Sequence, residues 1–180
     1  MSTWMVVEDE PDLYDTLIAL FEIWSIDGVA FTNGTDAIKW IDDVDKGGLD
    51  VTIPELAILD IRLPGASGPD IGQRMRASRA LGGVTIVLTT AYHLSPQEEK
   101  DVIARAGADT LLYKPLPSPS EFRSILQKTI DGRAAALAAR RQPATEPAPE
   151  PAAPDIPAEP EGTEPTAAEP EEPAEKTEQE

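Results

Sequence analysis

Four groups of side chains each follow a short apolar run, and each carries chemistry. Glu8, Asp9 and Glu10 follow "WMVV"; Asp60 follows "LAIL" and precedes "IRLPG"; Thr89 and Thr90 close "VTIVLTT"; Lys114 follows "TLLY" and precedes Pro115. Carboxylates gathered in one place repel one another and need a cation. An all-oxygen ligand set selects a hard ion such as Mg²⁺, which keeps waters and favours a phosphate partner. A carboxylate is also a nucleophile toward phosphorus and forms an aspartyl phosphate. A lysine ammonium and a threonine hydroxyl then stabilise phosphoryl oxygens. That chemistry requires all four groups at one edge of one fold.

The segments between them supply such an edge. Trp4–Val7 reads as a buried strand, and after Pro11 the residues Leu13, Leu17, Leu20 and Trp24 recur at helical spacing. Val29–Phe31 is a second strand, and Asp36–Asp45 is helical up to Gly47 and Gly48. Leu56–Asp60 is a third strand and Gly68–Ala80 a helix; Val84–Thr89 is a fourth strand. Ser95–Ala106 is a helix opened by Ser-Pro and ended by Gly107; Thr110–Tyr113 is a fifth strand. A last helix runs from Ser118 to about Arg140, extended by "RAAALAARR", which has high helix propensity. Strands alternating with helices predict an α/β fold with a parallel sheet covered on both faces. In such folds ligands sit at the carboxyl ends of the strands, where the four groups lie.

Composition narrows the function. The chain has 180 residues, no cysteine and one histidine, His93. Disulfides, thiolate metal sites and multi-histidine zinc sites are excluded. No signal-peptide pattern and no apolar run of about 20 residues is present, so the expected location is cytoplasmic, with no membrane partner. Of the net charge of -18, residues 142–180 hold -11, from twelve acids and Lys176, and residues 1–141 hold -7. Neither part offers the basic face that a nucleic acid requires. The segment 142–180, rich in Pro, Ala and Glu, has too little apolar area to offset its ordering entropy, so a disordered acidic tail is expected.

"VVEDEPDL", "AILDIRLPGASG", "VLTTAY" and "LLYKPL" resemble, in order and spacing, the signature blocks of a bacterial two-component response-regulator receiver domain. The resemblance covers roughly residues 3–130. It implies a flavodoxin-like (CheY-like) fold with strand order 2-1-3-4-5 and five helices. It divides the chain into a receiver domain with an extended last helix, residues 1–141, and the tail, residues 142–180. It further implies that Asp60 is the phosphoacceptor, charged by a sensor histidine kinase or a phosphotransfer protein, with Mg²⁺ as cofactor. Glu8, Asp9, Asp60 and the backbone carbonyl of Arg62 then match the metal site. Thr90 matches the switch hydroxyl and Lys114 the phosphoryl-pairing lysine, followed in the family by a cis Pro115. Such a protein catalyses only its own phosphorylation and dephosphorylation.

Each residue has a plainer reading beside this one. Asp60 caps a turn; Glu8, Asp9 and Glu10 form a solvated loop that caps the next helix; Thr89 rivals Thr90; Lys114 is a surface lysine. His93 matches nothing in the blocks and reads as a loop residue. The pattern departs at Leu111, where the family carries Tyr or Phe three residues before the lysine. The aromatic is Tyr113, on the opposite face of the strand from Leu112. Arg62 and Tyr92, two residues past Asp60 and Thr90, match positions that shield the acyl phosphate, and their bulk predicts slow hydrolysis.

Nothing after the last helix resembles an effector domain. The expectation is therefore a stand-alone receiver that relays phosphate or signals by protein contact. A homodimer is open, through the face of the fourth helix, fifth strand and fifth helix or through the helix extension. The alternative is a degenerate receiver that docks without phosphorylation. A flavodoxin shares the architecture, but "EDEPD" repels a phosphate unless a metal is present. Phosphatases with an aspartyl nucleophile expect a second Asp where Arg62 stands.

Overall fold

The apolar runs form the strands and the periodic segments form the helices. The computed structural model describes residues 2–49 and 51–141. In chain order the elements are β1 (Thr3–Val7), α1 (Pro11–Ile23), β2 (Asp27–Phe31), α2 (Gly34–Asp45) and β3 (Leu56–Asp60). They continue with α3 (Gly68–Ala77), β4 (Thr85–Thr90), α4 (Pro96–Ala106), β5 (Thr110–Tyr113) and α5 (Pro119–Arg141). The five strands are all parallel in the order β2-β1-β3-β4-β5, as the family resemblance implies. The segment 142–180, read from composition as a tail, lies outside the described residues. Among the described residues no helix is long and apolar enough to cross a membrane.

Both faces of the sheet are buried. On one, Met5, Val7, Leu59, Ile86 and Leu88 pack with Ile41 of α2, Ile71 and Met75 of α3 and Ala106 of α4. On the other, Trp4, Val6, Ile58 and Val87 pack with Leu17 and Phe21 of α1 and Phe122 and Leu126 of α5. Trp4 meets Phe21 edge-on at 5.6 Å between ring centroids. Each such side chain contributes about 1.5–3 kcal/mol on burial, against about 0–1 kcal/mol for an exposed ion pair. The two apolar layers therefore hold the sheet together.

Local hydrogen bonds fix the helix ends. Ser67 and Ser95 each form a capping box, with Asp70 and Glu98 respectively. Gly107 ends α4 at a φ of 59°, a conformation that favours glycine. α2 starts at Gly34, two residues before the Asp36 read from sequence, because the Asn33 side chain accepts the Asp36 amide. α3 stops at Ala77, short of the Ala80 that periodicity predicts. The Ser78 hydroxyl donates to Asp45 at 2.6 Å and accepts the Leu81 amide at 3.0 Å. Those bonds give the backbone an alternative to the helix.

The register decides what meets at the top of the sheet. Val7 is level with Leu59, Asp60 with Thr89, and Thr90 with Tyr113. Glu8, Asp60, Thr90 and Lys114 therefore emerge together at the carboxyl edge. The first residue of α3 presses against this edge: a Cβ on Gly68 would lie 2.2 Å from the carbonyl oxygen of Asp60. Gly68→Ala should therefore lower the unfolding free energy by about 1–3 kcal/mol, the usual cost of overpacking. A urea titration checks this, and an unchanged midpoint would contradict the close approach.

Candidate active site at the carboxyl edge

A lysine held between two carboxylates forms the centre. Lys114 Nζ donates to Glu8 Oε1 and to Asp60 Oδ2, each at 2.8 Å. Glu10 lies farther out, at 3.9 Å. Glu8 is 1 % exposed and Asp60 8 %, while Asp9 is exposed. The Glu10 amide donates to Glu8 Oε1 and the Arg62 amide to Asp60 Oδ1, both at 3.3 Å. The peptide bond between Lys114 and Pro115 is cis.

The charges do not balance. Burial pushes the Glu8 carboxyl above its ordinary range; the Lys114 hydrogen bond opposes that, and the nearby Asp60 charge adds to it. Burial alone would lower the Lys114 pKa. The hydrogen bonds to Asp60 and Glu8 outweigh burial and raise it, so the ammonium persists. Burial leads the Glu8 shift, whereas the Lys114 shift comes from the two carboxylates that face its ammonium.

The arrangement suits a metal. Carboxylate oxygens of Glu8, Asp9 and Asp60 lie within 4.8 Å of one another. Glu8 Oε2 is buried and has no hydrogen-bond partner among the described residues. A buried acceptor left unpaired is costly, and a cation would satisfy it. The donors are all hard oxygens, which fits Mg²⁺.

Thr90 and Arg62 border this cluster. Thr90, 1 % exposed, lies one residue past Thr89, and its Oγ1 accepts the Tyr92 amide at 3.1 Å. Thr89 Oγ1 is buried and has no partner among the described residues. It lies level with Leu112 and alternates with Thr90, so the two hydroxyls leave opposite faces of β4.

Several contacts escape the sequence. Arg62 and Tyr92 read separately as bulky, but the Arg62 guanidinium stacks on the Tyr92 ring, 3.7 Å from its centroid. His93 reads as an isolated loop residue, but its ring stacks on Tyr113.

Removing the lysine would leave two buried carboxylates without their cation, which typically costs about 3–5 kcal/mol. Lys114→Met should show that loss in urea unfolding with EDTA present. Adding Asp60→Asn to it should recover part of the loss. A wild-type midpoint for Lys114→Met would contradict the pairing.

A family model described as the response regulator receiver domain matches residues 4–127. Sensory transduction protein RegX3 of Mycobacterium tuberculosis is 30% identical over 134 residues, 73% of this chain and 53% of that protein. DNA-binding response regulator MtrA of Mycolicibacterium smegmatis is 29% identical over 144 residues, 71% of this chain and 58% of that protein. The chain thus spans little more than half the length of these curated relatives. Among solved structures, the receiver domain of a Pseudomonas aeruginosa PAO1 sensor histidine kinase, with magnesium coordinated in its active-site cleft, aligns with TM-score 0.60 and 22% identity. That match covers 72% of this chain and 98% of that one. A CheY-like receiver domain protein from Methanospirillum hungatei JF-1 aligns with TM-score 0.60 and 18% identity, covering 76% of this chain and 98% of that one. The structural likenesses speak for the fold; the family match, over more than half of the chain, shows that this protein belongs to the response regulator receivers, the phosphoacceptor modules of two-component signalling.

Proposed function

We propose that Asp60 accepts a phosphoryl group from a phosphohistidine on a sensor kinase or a phosphotransfer protein. The observation that carries this reading is the Lys114 ammonium, 2.8 Å from both Glu8 and Asp60 at the carboxyl edge. An Asp60 carboxylate oxygen attacks phosphorus, the new O–P bond forms, and the N–P bond to the donor breaks. The imidazole nitrogen keeps the electron pair and takes up a proton. Lys114 and the Thr90 hydroxyl stabilise the phosphoryl oxygens. Glu8, Asp9, Asp60 and the Arg62 carbonyl would hold Mg²⁺, which neutralises charge on the transferring group. The Arg62–Tyr92 stack shields the product from water. The charged domain then relays the phosphoryl group or signals by binding other proteins.

Intact-protein mass after incubation with acetyl phosphate and Mg²⁺ tests the reading. A phosphoryl adduct is expected on the wild type, and none on Asp60→Ala or with EDTA in the reaction. No adduct on the wild type would leave a module that docks without phosphorylation.

The shield has its own test. An exposed cation–π contact is worth about 0.5–1 kcal/mol, so the Arg62→Ala, Tyr92→Ala double variant should lose phosphate about 2- to 5-fold faster. Equal rates of decay would remove the shielding role.

A further inference from the structure

The position three residues before Lys114 is filled by Leu111, which lies level with Leu88 and packs against the core. Leucine offers no polar atom with which to hold a neighbour. The ring on that same face of β5 is Tyr113, one alternation step nearer the strand end. Tyr113 is level with Thr90 across the sheet and adjacent in sequence to Lys114. It therefore neighbours both residues assigned above to the phosphoryl oxygens, Thr90 across the sheet and Lys114 along the chain.

Its contacts lead to α4. The Tyr113 ring stacks on His93, with centroids 6.2 Å apart and planes 26° from parallel. Its hydroxyl donates to Glu99 Oε2 in the first turns of α4, at 3.2 Å. Burial and the hydrogen bond to Glu99 push the phenol above its ordinary pKa, so it remains a donor at neutral pH. His93 belongs to the loop between β4 and α4. That loop is anchored by the Tyr92 amide on Thr90 Oγ1.

We propose that Tyr113, through His93 and Glu99, is the positioning residue that passes the state of the Asp60 site to α4, in place of position 111. The proposal rests on the phosphoacceptor reading given above. When the Thr90 hydroxyl turns toward a phosphoryl oxygen on Asp60, the acceptor of the Tyr92 amide moves away. The loop loses its anchor, and His93 shifts on the face of Tyr113. The ring follows, 36% exposed and unconfined by the core. Its bond to Glu99 moves the start of α4. Leu111, packed against the core, stays where it is.

His93 is the only histidine, so its imidazole signal in a two-dimensional NMR spectrum of the full chain needs no assignment. Spectra are taken with Mg²⁺ before and after acetyl phosphate, with intact mass measured in parallel. In the wild type the His93 signal and the amides of Glu98, Glu99 and Lys100 should shift as the adduct appears. Tyr113→Leu should take the adduct but lose more than half of the α4 shift. Tyr113→Phe, which keeps the ring and decides the matter if Tyr113→Leu does not fold, should retain the His93 shift and lose most of the α4 shift. Leu111→Val should retain both.

A full α4 shift in a phosphorylated Tyr113→Phe would overturn the proposal alone. So would loss of that shift in Leu111→Val. No adduct on the wild type would overturn the phosphoacceptor reading and this proposal together.

Discussion

The Lys114 ammonium held between Glu8 and Asp60 is the constraint on which the rest depends. Its partners are 106 and 54 residues away in sequence. Only a fold that returns β1, β3 and β5 to one edge brings them together, and a parallel sheet does this because every strand ends on the same side. Three charges at so buried a place are tolerable only when paired. The pairing is incomplete, since Glu8 Oε2 has no partner among the described residues and the Glu8 carboxyl is held above its ordinary range. The site is thus built with an excess of negative charge, which a divalent cation would offset.

The surrounding backbone holds this edge still. The loop after β3 is tied to the start of α2 by the Gly34 amide, which donates to the Pro64 carbonyl at 2.9 Å. Gly65 passes over Thr35 at a φ of 84°, where a side chain would collide with the threonine hydroxyl. Together with Gly68 against Asp60, these contacts place Asp60 on rigid elements, the condition for a precise site. The loop after β4 is held differently, by one hydrogen bond to Thr90 and by ring contacts of Tyr92 and His93. One wall of the site is fixed and the other is lightly anchored, an arrangement suited to a switch.

Most of this was legible in the sequence where a local pattern met a chemical requirement. Near-continuous apolar runs such as "LAILD" and "TIVLTT" mark strands buried on both faces. Glu8, Asp60, Thr90 and Lys114 stand out because each ends or follows such a run. What was not legible depends on partners distant in sequence. The early end of α3 needs Ser78 to meet Asp45, 33 positions away. The Arg62–Tyr92 and His93–Tyr113 stacks each join two segments whose local patterns are silent about each other. β2 begins at Asp27 rather than Val29 because it pairs with β1 from Thr3 onward, although Asp27 and Gly28 are poor strand formers.

The lysine-bridged carboxylate at the end of β3 is the group proposed above to carry the phosphate. Reduction of the acetyl phosphate-treated protein with borohydride converts an aspartyl phosphate to homoserine, which peptide mass spectrometry locates. Homoserine is expected at Asp60 alone. Homoserine at Asp9 or elsewhere, with Asp60 intact in a protein that has taken up phosphate, would contradict it.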